Sequence, residues 1–219
     1  GSSDLGSSAA FATITGHRTR ILSILELICS MLGLVKVAGS RTASCIGQRF
    51  ISVGTNVKAA GVTLQRARTW DAGAADGFKA TDMETLLAGK KVVVFALPGA
   101  YTGVCENAHV PSYVANADAF KAKGVDTIAC VSVNDPYTMN AWGKSLDPEG
   151  KIEFYGDSDA SFTEAMGKAL DLNVAALGPG KRSHRYSMLL EDGVVTKLFE
   201  EEAPSDAKVS DGATMLAEL

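Results

Sequence analysis

The stretch "KVVVFALPGAYTGVC", Lys91 to Cys105, decides how the chain is to be read. Its first half, Val92 to Ala96, is apolar without alternation, the pattern of a strand covered on both faces. Its second half leaves that strand through Pro98, which stiffens the exit and withholds a donor, and Gly99, which lets the backbone turn tightly. Helical texture then resumes at Cys105, so this thiol sits in the first turn of a helix and not inside an apolar run. Unpaired N–H groups and the helix dipole favour negative charge at such a position, and the thiolate is the reactive form of cysteine.

Working outward, "VTLQRA" at 62–67 reads as an edge strand, and Thr81 with Glu84 has capping-box spacing before "DMETLLAG", which Gly89 stops. The helix after Cys105, "ENAHVPSYVANADAF", carries Pro111 in its interior, where the hydrogen bond to Asn107 must be lost and the axis bent. "DTIACVSV" is a second strand buried on both faces. Asp135 followed by Pro136 starts a helix, and Ser161 with Glu164 repeats the capping-box spacing before "AMGKAL". Asp192-Gly193, between two strand-like runs, is the strongest hairpin signal in the chain, and a last helix follows from about Gly212 to Leu219. Strand and helix alternate, then a hairpin and a helix follow, which implies an α/β architecture with a mixed sheet.

Residues 1–49 differ from this body in composition. They hold five Lys/Arg against two Asp/Glu, a net charge of +3, whereas residues 50–219, with 16 against 23, carry −7. Few acids, several serines and scattered arginines are the composition of an organelle transit peptide, so 1–49 reads as a targeting presequence and 50–219 as the folded domain. Within "ILSILELICSMLGLVKV" the positions Ser23, Glu26, Ser30 and Gly33 fall on one helical stripe, which favours an amphipathic helix over a membrane anchor or a signal segment. An acidic domain argues against nucleic-acid binding.

Of the four cysteines, only Cys105 and Cys130 fall in the domain, and no C-x-x-C or zinc-ligand spacing occurs. A cation near Cys105 would help to ionise it, and "KRSHRYSM" gathers Lys181, Arg182 and Arg185 at the entry to a central strand. Thr102 lies three residues before the cysteine, within reach of the sulfur or of a bound hydroxyl group. Cys130 reads as a buried strand residue, His109 and His184 as surface or packed imidazoles, Lys181 and "FEEEAPSD" as solvated, and Trp142 and Phe162 as core.

Pro98, Thr102 and Cys105 fit the P-x-x-x-T-x-x-C signature, and together with "HVPSY", "VSVNDP", the "RSHRY" arginines and the hairpin they resemble the peroxiredoxins over nearly all of residues 51–219. "GVTLQRARTWD", "IEFYGD" and "EEAPSDAKV" are similar to the plant mitochondrial F subtype of the type II branch. The resemblance implies a thioredoxin-like fold and a thiol peroxidase that needs no cofactor and no metal. By position, Cys105 would be the peroxidatic cysteine, Thr102 and Arg185 would position and activate the peroxide, Pro98 would shield the sulfur, and Arg182 would support them.

Cys130 corresponds to the second cysteine of plant type II members, while Val209 stands where the animal branch keeps its resolving cysteine. A strand interior is a poor place for a mobile thiol, so either the backbone moves to let Cys130 resolve Cys105 or an external thiol, glutathione with glutaredoxin or thioredoxin, does the work, and the second is favoured. The resemblance further implies a homodimer and the mitochondrial matrix, with the plastid as the alternative location. A thioredoxin-type disulfide oxidoreductase is disfavoured, because position 102 is threonine and not cysteine. A non-enzymatic redox-sensing or holdase protein on the same fold is the remaining alternative.

Overall fold

The apolar run from Val92 to Ala96 lies in β3 (Lys91–Leu97), and the run "DTIACVSV" forms β4 (Thr127–Ser132), paired parallel with it in a seven-stranded sheet. The computed structural model describes residues 51–178 and 180–219, so the amphipathic helix expected within 1–49 lies outside the described residues. The other strands are β1 (Thr63–Arg66), β2 (Thr81–Asp82), β5 (Glu153–Gly156), β8 (Tyr186–Glu191) and β9 (Val194–Glu200). A two-stranded ribbon of β6 (Ala169–Asp171) and β7 (Lys181–Ser183) stands apart.

The sheet order is β2-β1-β5-β4-β3-β8-β9. β3, β4 and β5 are mutually parallel and the remaining pairs antiparallel, which makes the sheet mixed, as the alternation of signals implied. β1 is not an edge, because the two-residue β2 pairs with its outer side.

Successive strand residues point to opposite faces, so β3 divides its apolar side chains between two cores. Val92, Val94 and Ala96 join Leu86, Leu87, Phe162 and Met188 on one face, while Val93, Phe95 and Leu97 join Tyr113, Phe120, Trp142 and Met215 on the other. Trp142 and Phe162 are core residues, as expected. Each large side chain so buried contributes roughly 1.5–3 kcal/mol.

The helices are α1 (Trp70–Ala75), α2 (Met83–Leu87), α3 (Val110–Ala122), α4 (Pro136–Leu146), α5 (Ser161–Ala165) and α6 (Gly212–Ala217). Asp135 caps α4 as expected, accepting from the N–H of Tyr137 at 3.0 Å and of Thr138 at 2.8 Å. Two capping expectations are corrected. Asp82, not Thr81, caps α2 by accepting from Thr85 N–H at 2.6 Å, since a carboxylate one residue later is the better acceptor. Ala160, not Ser161, stands at the cap of α5, and Asp157 takes over by accepting from Phe162 and Thr163 N–H. α5 also ends early, before Gly167 at φ +66°, and Ala169 and Leu170 of "AMGKAL" enter β6 instead.

The hairpin between β8 and β9 turns on Asp192 (φ 49°) and Gly193 (φ 79°), the two positive dihedrals of a type I′ turn. Among the described residues, no helix is long and apolar enough to cross a membrane.

Candidate active site

Cys105 opens a π-helical turn, Cys105–His109, in which Val110 N–H reaches back five residues to the Cys105 carbonyl. The bend expected at Pro111 takes this form: proline has no N–H for the Asn107 carbonyl, and the ladder just before it widens by one residue. The turn sets the Cys105 and His109 side chains in the same buried region, against the strand that carries Phe95.

The sulfur of Cys105 accepts a hydrogen bond from Arg185 Nη2 at 3.3 Å. Arg185 lies between β7 and β8, and its guanidinium is buried, at 2% exposure. Nη1 donates to His109 Nδ1 at 3.0 Å, Nη2 also donates to the Pro204 carbonyl at 2.8 Å, and the buried Nε has no partner. A planar fork held at three points cannot swing away from the sulfur.

His109, expected as a surface or packed imidazole, is buried against Arg185. Its Nε2–H donates to the Ser210 carbonyl at 3.0 Å, which leaves Nδ1 with the lone pair that Arg185 requires. Burial, and then the adjacent Arg185 charge, push its pKa down to about 3, so the ring is neutral. The signal available in sequence was the four-residue step from Cys105 to His109, which places both on one side of a helix.

Thr102 is half-buried, and its hydroxyl donates to the Gly99 carbonyl at 2.8 Å instead of to the sulfur. With its proton so committed, its oxygen is left as an acceptor. Pro98 is buried at the strand exit. The loop after it is tied by Asn134, whose Oδ1 accepts from Ala100 N–H at 3.0 Å and from Ser132 Oγ at 2.8 Å, a role that sequence reasoning missed. Tyr101 in that loop takes φ +59°, strain of the kind that collects at functional sites. Beside the cysteine, Glu106 accepts from the buried Trp142 Nε1 at 2.6 Å.

Arg182 does not reach the sulfur. It donates to the Leu177 and Val133 carbonyls, at 2.7 and 2.8 Å, and so staples the β7 segment to the end of β4. Cys130 is fully buried in β4, opposite Phe95 of β3 and Phe154 of β5, and both it and Cys105 are free thiols. Burial, and then the neighbouring Cys105, push the Cys130 thiol well up, so it stays protonated. Lys181 is exposed and paired with Glu164, but the run "FEEEAPSD" is not wholly solvated: Glu201 is buried, with backbone N–H groups converging on its carboxylate.

A family profile described as Redoxin matches residues 55–216. Two proteins named mitochondrial peroxiredoxin-2F are each 48% identical to this chain. That of Oryza sativa covers 85% of this chain and 94% of its own length, and that of Arabidopsis thaliana 90% and 99%. The chain belongs to the peroxiredoxin family. Among solved structures, reduced Prx3 of Vibrio vulnificus in complex with H2O2 is 43% identical, covers 78% of this chain and 100% of its own, and superposes with a TM-score of 0.67. The fold is therefore the thioredoxin-like one of the peroxiredoxins, and the activity is that of a thiol peroxidase, an oxidoreductase that reduces peroxide at the expense of a thiol.

Proposed function

We propose that Cys105 is the sulfur that splits the peroxide and that Arg185 is its principal partner. The observation that carries this reading is the buried Arg185 guanidinium, 3.3 Å from the Cys105 sulfur and fixed by His109 and Pro204. A permanent cation within hydrogen-bond distance stabilises negative charge on sulfur and, later, on the departing oxygen.

The thiolate attacks one peroxide oxygen in line with the O–O bond. That bond breaks, the far oxygen takes a proton and leaves as water or an alcohol, and Cys105 becomes a sulfenic acid; sulfur loses two electrons and the peroxide gains them. Thr102, its proton given to Gly99, accepts a hydrogen bond from the peroxide O–H, while the unpartnered Arg185 Nε is the spare donor for the separating oxygens. Pro98, buried at the exit of β3, keeps water from the sulfur, and Arg182 supports the loops without touching the chemistry.

The sulfenic acid then condenses with a second thiol, releasing water and forming a disulfide that a further thiol reduces. An external thiol serves, glutathione with glutaredoxin or else thioredoxin, because Cys130 is protonated and locked in the sheet. Residues 1–49 act as a targeting presequence for the 50–219 domain and deliver it to the mitochondrial matrix, in keeping with the mitochondrial names of the relatives; the working unit is a homodimer.

Trapping with a sulfenate-specific nucleophile after one equivalent of peroxide tests the assignment. The label should fall on Cys105, and Cys105→Ser should be folded, unlabelled and inactive; turnover by that variant refutes the reading.

A further inference from the structure

Glu200, Glu201 and Glu202 form an acidic triplet at the end of β9, and only Glu201 points inward, at 5% exposure. Its Oε1 accepts four hydrogen bonds, each of 2.8 Å: from the backbone N–H of Lys208, Val209 and Ser210, and from the Ser210 hydroxyl. Burial by itself would raise the carboxyl pKa, but these bonds outweigh it and hold the group below its ordinary range. A carboxylate is thus clasped in a concavity of successive N–H groups. The clasp closes a loop, 202–210, on the residue that begins it.

That loop presents two carbonyls to the site. Pro204 accepts from Arg185 Nη2 at 2.8 Å, and Ser210 accepts from His109 Nε2 at 3.0 Å and from the buried Tyr113 hydroxyl at 2.7 Å. Glu201 N–H also donates to the backbone carbonyl of Arg185 at 3.0 Å, so the same residue holds the arginine's main chain. We propose that Glu201 is a positioning residue for the peroxidase reaction: its carboxylate clamps the 202–210 loop so that Pro204 aims Arg185 at Cys105 directly, and Ser210 does so by fixing the His109 tautomer.

This rests on the reading that Arg185 acts on Cys105. Removing the carboxylate leaves three converging N–H groups without an acceptor, and the loop must open to hydrate them. Both carbonyls then shift, and a displacement of about 1 Å in a catalytic group costs on the order of a hundredfold in rate. Oε1 takes all four bonds, so the clamp needs an oxygen at that place more than it needs the charge. Glutamine satisfies this requirement. Aspartate, whose carboxylate is withdrawn by one methylene, does not.

The test is a double-mutant cycle on the second-order rate constant for oxidation of the reduced protein by H2O2, with folding followed by circular dichroism. Glu201→Ala should lower the constant about 10- to 100-fold, and Glu201→Gln should recover it to within about fivefold of wild type. In the Arg185→Met background, Glu201→Ala should change the remaining rate by less than about twofold, because the carboxylate acts through that arginine. If Glu201→Ala does not fold, Glu201→Asp takes its place with the same expectation. A folded Ala or Asp variant that keeps the wild-type constant, or one that loses as much with Arg185→Met as without it, overturns the proposal. Should Arg185→Met alone keep the wild-type constant, the underlying reading of Arg185 falls as well.

Discussion

At the scale of single residues, the site depends on a neutral histidine forced to accept. His109 sits between a guanidinium and a carbonyl, and a protonated ring would oppose the Arg185 charge and lose its acceptor. Its pKa, near 3 in the fold against 6.5 for the free side chain, has a consequence for stability. The unfolded chain binds this proton and the folded one does not, so the stabilisation is whole above pH 6.5 and drains away as the pH falls towards 3. The slope should approach ~1.4 kcal/mol for each pH unit of acidification. Asp157, whose carboxyl burial raises, works with the opposite sign nearer the carboxylate range. Urea unfolding at pH 6 and pH 5 should therefore show the loss in wild type and a flatter profile in His109→Asn, which keeps an acceptor for Arg185 and cannot titrate. Equal slopes would mean that the ring is not held neutral.

Cys105 was legible because a thiol outside any apolar run needs a reason, and Arg185 because guanidinium groups were concentrated at one strand entry. His109 and Glu201 were not: the four-residue step from Cys105 puts His109 on the same helix side but does not show its acceptor role, which depends on Arg185 and Ser210 far along the chain, and Glu201 acts on N–H groups across a loop.

At the scale of elements, local chemistry decided where helices begin, and at α2 and α5 carboxylates prevailed over hydroxyls. Asp135 was legible since Pro136 follows it, while the boxes begun by Thr81 and Ser161 were displaced by Asp82 and Asp157. Asp135→Ala removes an acceptor that serves two N–H groups of α4 and should cost about 1 kcal/mol. For a domain of this size that is a fall of roughly 2–4 °C in Tm. Thr81→Ala should leave α2 capped and Tm little changed. Calorimetry of the two variants checks both, and a larger loss for Thr81→Ala would contradict the cap assignment. The π turn before Pro111 was half legible: a missing donor announces a break, but whether the helix kinks or widens is set by packing of His109 and Tyr113 against β3.

At the scale of the whole molecule, the sheet explains why the second cysteine stays out of the chemistry although it shares a core with Cys105. β4 is paired along its length with β3 and pairs with β5 across Cys130, so bringing Cys130 to a sulfenate at residue 105 would mean opening the middle of the sheet. Cys130→Ala should keep steady-state peroxide reduction with glutathione and glutaredoxin within about twofold of wild type, a volume-reducing change whose cost falls on stability. A collapse of turnover with the fold intact would show that the strand does open. The mixed topology was legible from the order of runs and turns. The ribbon of β6 and β7 was not, because "AMGKAL" has helical propensity and is overridden by pairing with the segment that delivers Arg185.

The central claim is that a guanidinium pinned beside one sulfur lets that sulfur cleave the O–O bond, and a single-turnover mixing of reduced protein with one equivalent of H2O2 measures it most directly. Arg185→Lys keeps the charge but cannot reach Cys105, His109 and Pro204 together, so its rate constant should fall by about a hundredfold or more. A folded lysine variant that reacts as fast as wild type would contradict the account.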